Sequence, residues 1–138
     1  MADEQMVKGI IDVPRTDVML MLESGYLFME LGKNKEAEEV FDGLCSMFPD
    51  NDVPHVALGN LYFSQGKFHP ALKAQQKAVS CRPDSAAAHA GVAEALFFLK
   101  RFDEALAAAD QAIGLDTDGS AGQFAASLKE AHQLGIFG

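Results

Sequence analysis

Apolar side chains, glycines and prolines recur along this chain at a constant spacing of 34 residues. Two well-matched series share this spacing: Gly25, Tyr26, Phe28, Gly32, Ala37, Phe41 and Pro49, followed by Gly59, Asn60, Tyr62, Gly66, Ala71, Gln75 and Pro83. A third, weaker series continues with Ala93, Leu96, Lys100, Ala105, Ala109 and Thr117. A fixed period of this length indicates one supersecondary unit repeated along the chain. The stretch ALGNLYFSQGKFHPAL, residues 57–72, looks like an engineered protease site, but it keeps the register and therefore belongs to the repeat.

The pattern within each unit predicts two helices, A and B. Gly32 and Gly66 can adopt the left-handed conformation that ends helix A, whereas Pro49 and Pro83 cannot continue helix B. Residues 50–52 and 84–85 then supply N-caps for the next helix. The predicted helices lie near residues 16–31, 35–48, 53–65, 68–81, 85–99 and 102–114, with a seventh near residues 120–134.

Small residues are expected where the two helices of a unit approach closely. Gly25, Gly59 and Ala93 occupy this place on helix A, and we expect them to face alanines on helix B. Those alanines are Ala37, Ala71 and Ala105, and the larger Phe28, Tyr62 and Leu96 fill the space beside the contact.

A 34-residue unit with a small residue at position 8, a large apolar one at 11, Gly at 15, Ala at 20 and Pro at 32 resembles the tetratricopeptide repeat, or TPR. The resemblance implies an all-α fold, a right-handed superhelix of three TPR helix pairs with a C-terminal capping helix. Residues 1–138 would form one TPR domain, with repeats at residues 18–51, 52–85 and 86–119 and a capping helix and tail at residues 120–138. Residues 1–15 would form an N-terminal arm, either a short helix or a segment that orders on binding.

Composition and charge narrow the function. Eleven basic and 20 acidic residues give a net charge of −9, which disfavours nucleic acid and anionic membranes as partners. No apolar run is long enough to cross a bilayer, and Asp3, Glu4 and Asp12 interrupt any signal-peptide core. Cys45 and Cys81 form no CxxC pair and are expected to be reduced and half-buried. We therefore expect a cytoplasmic protein without membrane insertion.

The TPR resemblance implies that positions 2, 5, 9, 12 and 13 of each unit point into a concave groove. The first two units place Met19, Leu22, Tyr26, Met29, Glu30, Val53, Val56, Asn60, Phe63 and Ser64 there, and the third places Ala87, Ala90, Glu94, Phe97 and Phe98. Most of these residues are apolar and are not needed to pack the repeat. Because an exposed apolar stripe is a liability without an occupant, we expect either a peptide or helix ligand, or permanent cover by the N-terminal arm or a second subunit.

A carboxylate clamp is not expected in this groove. TPR domains that hold the C-terminal Glu-Glu-Val-Asp tail of cytosolic chaperones use lysine, arginine and asparagine side chains, and only Asn60 of such a set is present. A terminal carboxylate would instead meet Glu30 and Glu94.

The sequence offers no catalytic set, and no enzyme activity, cofactor or metal is expected. His55 and His89 lie one repeat apart and could share a metal, but no further ligand stands beside them, so a structural role is preferred. His69 and His132 are expected at the surface. The segment GLDTDGSAG, residues 114–122, lacks the later ligands and the closing glutamate of an EF-hand.

Residues 23–51, ESGYLFMELGKNKEAEEVFDGLCSMFPDN, resemble the first repeat of the TPR-type chaperones of bacterial type III secretion systems. That resemblance implies a chaperone for a translocator or needle subunit, with an amphipathic helix or extended segment of the substrate in the groove. It also allows a homodimer, or a heterodimer with a co-chaperone. The competing hypothesis is an assembly adaptor that joins subunits through its TPR surfaces, such as the alanine face of Ala105, Ala108, Ala109 and Ala112.

Overall fold

The computed structural model describes residues 6–7 and 13–138. Seven α-helices lie within these residues: α1 Arg15–Glu30, α2 Asn34–Met47, α3 Asp52–Ser64, α4 Phe68–Cys81, α5 Ala86–Phe98, α6 Phe102–Leu115 and α7 Ser120–Gln133. The helices pack in sequence order as the pairs α1–α2, α3–α4 and α5–α6, with α7 against α5 and α6. The all-α prediction is confirmed, and each predicted helix end lies within one residue of the observed end.

The described part of the N-terminal arm is not helical. Two short strands, β1 Met6–Val7 and β2 Val13–Pro14, pair antiparallel, and β2 leads directly into α1. The expectation of a short helix is therefore wrong for these four residues. The rest of the arm lies outside the described residues.

The turn after each A helix depends on one residue in the left-handed conformation. Gly32 has φ 74° and Gly66 has φ 75°, as predicted, and the third turn places Lys100 at φ 62°. A side chain in this conformation costs roughly 1–2 kcal/mol. Lys100 therefore keeps the turn geometry of the first two repeats at the expense of local strain.

Polar side chains fix the start of the second and third A helices. The Asn51 side chain accepts a hydrogen bond from the Val53 amide at 2.9 Å, and Ser85 Oγ accepts one from the Ala88 amide at 3.2 Å. Each bond satisfies an amide that has no partner within its helix. The predicted N-caps are confirmed at these two residues.

The close approach of helices A and B is arranged differently from the prediction. Ala37 and Ala71 are buried, but the side chains against the glycines come from position 24 of the repeat. A methyl group added to Gly25 would lie 2.8 Å from Phe41 Cζ, and one added to Gly59 would lie 2.7 Å from Gln75 Cδ. The glycines therefore make room for a large side chain opposite them.

The alanine face of α6 belongs to the core. Ala105, Ala109 and Ala112 are fully shielded from solvent and pack with residues of α5 and α7. Only Ala108 is partly exposed. The prediction that this face joins identical subunits is therefore wrong, since the capping helix already covers it.

Candidate functional site

The A helices α1, α3 and α5, together with α7, line the candidate groove. At its N-terminal end lies a cavity of about 260 Å³, here called the N-terminal cavity. Its lining comprises Arg15, Val18, Met19, Leu22, Phe48, Asn51, Val53 and Pro54. The structure thus brings together the predicted Met19, Leu22 and Val53, of which Met19 is 51% exposed.

A second recess, the central cavity, has a volume of about 240 Å³. It is lined by Val56, Asn60, Ala87, Ala90, Gly91, Glu94, Ser120, Ala121 and Phe124. The predicted Val56, Asn60 and Glu94 therefore meet in one place. The small residues beside them, Ala87, Ala90, Gly91 and Ala121, leave the space open.

Position 9 of the repeats forms a polar column along the groove. Asn60 Nδ2 donates a hydrogen bond to the Tyr26 hydroxyl oxygen at 3.1 Å. Gln75 Nε2, from α4, donates to Asn60 Oδ1 and to the Val56 carbonyl oxygen, both at 3.3 Å. The side-chain amide of Asn60 is therefore held by Tyr26 and Gln75, and Tyr26 and Asn60 lie next to each other on adjacent A helices.

Gln75 was not identified as a candidate from the sequence. It is 3% exposed and lies behind Gly91, where a Cβ would approach its Oε1 to 2.7 Å. Its Nε2 is held by the Val56 carbonyl, and its buried Oε1 has no hydrogen-bond partner within the described part of the chain. Such an atom is rare in native proteins and leaves a negative potential uncompensated.

Glu94 completes position 9 and carries the charge of the central cavity. Among the described residues it has no hydrogen bond or ion pair, and no basic residue lines the cavity. Burial raises the pKa of its carboxyl group to about 7. Near neutral pH the group therefore exchanges readily between its charged and neutral forms.

An aromatic cluster lies at the C-terminal ends of the A helices α3 and α5. Phe63 and Phe98 meet edge to face with ring centroids 4.8 Å apart, and Phe68 lies 5.2 Å from each. Phe98 remains 43% exposed. Phe137, from the tail that follows α7, contacts Phe98 at 5.2 Å.

Phe97 does not face an open groove. It is fully buried, stacked on Phe137 at 5.1 Å and packed against His132 at 5.5 Å. The tail thus buries Phe97, whereas Phe63, at the same position of the preceding repeat, stays half-exposed. His132, expected at the surface, is half-buried, and its ring also packs 4.6 Å from that of Phe102.

The remaining predicted groove residues contribute to both core and surface. Leu22, Tyr26 and Met29 are partly buried and pack against a core cluster around Phe41. Tyr26 meets Phe41 edge on, with ring centroids 5.1 Å apart.

Outside the groove, the two histidines hold the turns between repeats. His55 Nε2 lies 3.2 Å from the Pro49 carbonyl oxygen, and His89 Nε2 lies 2.8 Å from that of Pro83. Because a carbonyl only accepts, Nε2 is the protonated nitrogen in each ring. Within the described residues, no group of three or more His, Cys, Asp or Glu side chains is placed to hold a metal ion.

The cysteines take no part in a disulfide. Cys45 and Cys81 are free and half-buried, as predicted. Burial raises the pKa of the Cys45 thiol to about 11, so it is a weak nucleophile.

Two lining residues of α7 could have been found from the sequence. Ala121 and Phe124 lie 34 residues after Ala87 and Ala90, so extending the register into the capping helix places them at positions 2 and 5. The capping helix therefore lines the central cavity at the same repeat positions as the A helix before it. Phe137 and Gln75 have no comparable signal.

Comparison with known proteins identifies the family. A family model described as anaphase-promoting complex, cyclosome, subunit 3 matches residues 30–112, which is more than half of the chain. The chain belongs to this TPR family. Although the family is described by one subunit of one complex, the match establishes only the repeat fold and a protein-binding scaffold for this TPR protein. No curated protein matches the sequence significantly.

Solved structures support the same fold. The translocator chaperone SycD of Yersinia enterocolitica type III secretion, in an alternative dimer, gives a TM-score of 0.76 at 18% identity, covering 86% of this chain and 93% of that one. PcrH in complex with the chaperone binding region of PopD gives 0.74 at 19%, covering 88% and 92%. The first TPR of Spaghetti (RPAP3), bound to the HSP90 peptide SRMEEVD, gives 0.74 at 21%, covering 88% and 95%.

No helix in the described part of this TPR protein combines the length and hydropathy needed to span a bilayer.

Proposed function

We propose that this TPR protein is a cytoplasmic chaperone that holds an amphipathic helix or an extended segment of a type III secretion substrate in its concave groove. The substrate class would be a translocator or needle subunit. The observation that carries the proposal is the apolar lining of the N-terminal cavity and of the aromatic cluster. Met19, Val53 and Phe98 stay exposed there although the core is already filled by other residues.

The shape of the groove suits a segment with spaced apolar side chains. The N-terminal cavity and the aromatic cluster could each receive one such side chain, with the polar column between them. Met19 and Met29 have flexible side chains that adapt to ligand side chains of different shapes. Likeness to SycD and to PcrH with its PopD segment is in keeping with this function, although at 18–19% identity it shows the fold alone.

A peptide ending in Glu-Glu-Val-Asp is not the proposed ligand, despite the likeness to the RPAP3 domain. Among the described residues, no lysine, arginine or histidine lines the central cavity, and its charged group is Glu94. A terminal carboxylate would therefore be repelled at the centre of the groove.

Matched substitutions test the groove assignment. Met19→Asp and Phe98→Asp place a charge on the proposed binding face, whereas Leu20→Asp places one outside the lining of the N-terminal cavity, at a residue of α1 that is similarly exposed, at 55%. The first two variants should lose the candidate secretion substrate in co-expression and co-purification, and the third should retain it. Circular dichroism checks that all three fold. Retention of the substrate by Met19→Asp and Phe98→Asp would refute the groove assignment.

An adaptor that self-associates is a second candidate, favoured by a different surface. Leu20 and Leu27 on α1, and Leu31 directly after its end, lie along one side of the helix and are between 55% and 62% exposed. Their spacing of seven and four residues matches an interhelical seam. Light scattering over a dilution series should show an oligomer that Leu20→Asp dissociates and Met19→Asp leaves intact, and a wild-type monomer at all concentrations would exclude this candidate.

A further inference from the structure

We propose that the central cavity is a specificity site for one basic side chain, a lysine or arginine of the bound segment, with Glu94 as its ionic partner. The inference rests on the proposed function, because it assigns a chemistry to one part of the groove. Three observations support it.

The first observation is the isolation of Glu94. The three salt bridges among the described residues all lie elsewhere, and Glu94 accepts no hydrogen bond there. A partly buried carboxylate without a partner costs stability, so its presence calls for a partner from outside the fold.

The second observation is an unpaired acceptor behind the cavity wall. The side-chain amide of Asn60 is already held by Tyr26 and Gln75. Gln75 Oε1 has no hydrogen-bond partner among the described residues; it lies behind Gly91, nearly fully buried, and adds to the negative potential at the cavity wall. A positively charged ligand group compensates this potential, whereas an acidic or purely apolar side chain leaves it in place.

The third observation is the shape of the lining. Ala87, Ala90 and Gly91 leave a recess beside Glu94, and Val56 and Phe124 provide apolar surface in the same recess. Lysine and arginine pack their aliphatic stems on apolar surface while the charged end reaches a polar group. The exposed ring of Phe124 also offers a face on which a cation can lie.

The cation site would set the register of the bound segment. Apolar side chains at the N-terminal cavity and the aromatic cluster allow many registers, since each accepts several residue types. A single ionic contact between them favours segments with a basic residue at one fixed distance from the apolar ones, and disfavours acidic residues there.

A random dodecapeptide library displayed on phage tests this without knowledge of the natural ligand. Pools selected on the wild-type protein should be enriched in lysine or arginine at one position relative to the apolar residues. Pools selected on Glu94→Gln should lose that enrichment. Pools selected on Glu39→Gln, which removes the same charge from an exposed site on α2, should keep it.

Synthetic peptides make the test quantitative. Replacing the basic residue of the best peptide by norleucine should weaken binding to the wild-type protein about tenfold or more, as expected for a charge-assisted hydrogen bond in a partly buried site. The same replacement should have little effect on binding to Glu94→Gln.

The two proposals fail in different ways. The cation site would be overturned if the selected peptides show no preference for a basic residue, or if the preference persists in Glu94→Gln. The groove assignment would stand in that case if the peptides still depend on Phe98. Peptides that bind Phe98→Asp as tightly as the wild-type protein, or a library that yields no binder, would overturn the groove as well.

Discussion

Replacing Gly25 by alanine tests how the helices of a repeat pack. The new methyl group would lie 2.8 Å from Cζ and 2.9 Å from Cδ1 of the fully buried Phe41 ring. These distances are far shorter than normal contacts, and the rigid ring has no solvent to move into. Overpacking of this kind costs about 1–3 kcal/mol of unfolding free energy, and the better helix propensity of alanine returns about 0.5–1 kcal/mol.

Gly43→Ala is the matched control. Gly43 lies inside α2, and a methyl group added there would meet nothing within 4 Å. This variant should therefore gain about 0.5–1 kcal/mol from helix propensity alone. Since the propensity term is common to both variants, their difference isolates the overpacking cost, which should be about 1–3 kcal/mol.

Urea denaturation followed by circular dichroism measures both variants, with an unchanged dependence on urea showing that the compactness of the two states is preserved. Phe41→Leu should remove part of the clash, so the cost of Gly25→Ala should fall by at least about 0.5 kcal/mol in that background. Equal stability of Gly25→Ala and Gly43→Ala would show that the proposed packing of position 8 against position 24 is wrong.

Three further outcomes follow from the structure. Lys100→Gly should raise the unfolding free energy by about 1 kcal/mol in urea denaturation, because it relieves a left-handed conformation, and an unchanged stability would contradict this. Glu94→Gln should change how the stability of the protein depends on pH. Burial raises the pKa of Glu94 in the folded state from 4.5 to about 7, so the wild-type protein loses stability as the pH rises between these values. The variant should therefore be more stable at pH 8 by about 1–2 kcal/mol, roughly half of what the shift alone implies because the group is partly exposed, whereas parallel pH profiles would refute the argument. Cys45 should react with iodoacetamide at pH 8 about two orders of magnitude more slowly than a free cysteine, as measured by mass spectrometry, because burial raises the pKa of its thiol to about 11.

The repeat register accounts for the part of the fold that was predictable. Turn geometry follows from Gly32 and Gly66, and even Lys100 adopts their conformation because the flanking helices impose it. The N-caps at Asn51 and Ser85 were also predictable, because an N-cap depends only on a side chain next to the helix start. Local sequence and a fixed period together therefore predict the helices.

Contacts that do not recur with the 34-residue period could not be predicted from the sequence. Phe63 and Phe97 occupy the same position of the repeat, yet only Phe97 is fully buried, because Phe137 from the non-repeating tail packs on it. Gln75 takes the place of Phe41, and its polar role depends on a hydrogen bond to the Val56 carbonyl on the neighbouring helix α3, a contact that no local sequence pattern indicates. The capping helix likewise buries the alanines of α6, so Ala109 is core where an outer surface was expected.

Methionine methyl signals provide the most direct test of the central claim that the concave groove binds a peptide segment. In a protein labelled with ¹³C at the methionine methyls, addition of a selected peptide or of a substrate segment should shift the signals of Met19 and Met29, on the groove side of α1. Met47 packs against the buried cluster of Val18, Leu44 and Phe48, behind the lining of the N-terminal cavity, so its signal should shift less than that of Met19. Binding of the same segment without shifts at Met19 and Met29 would contradict the groove as the binding site.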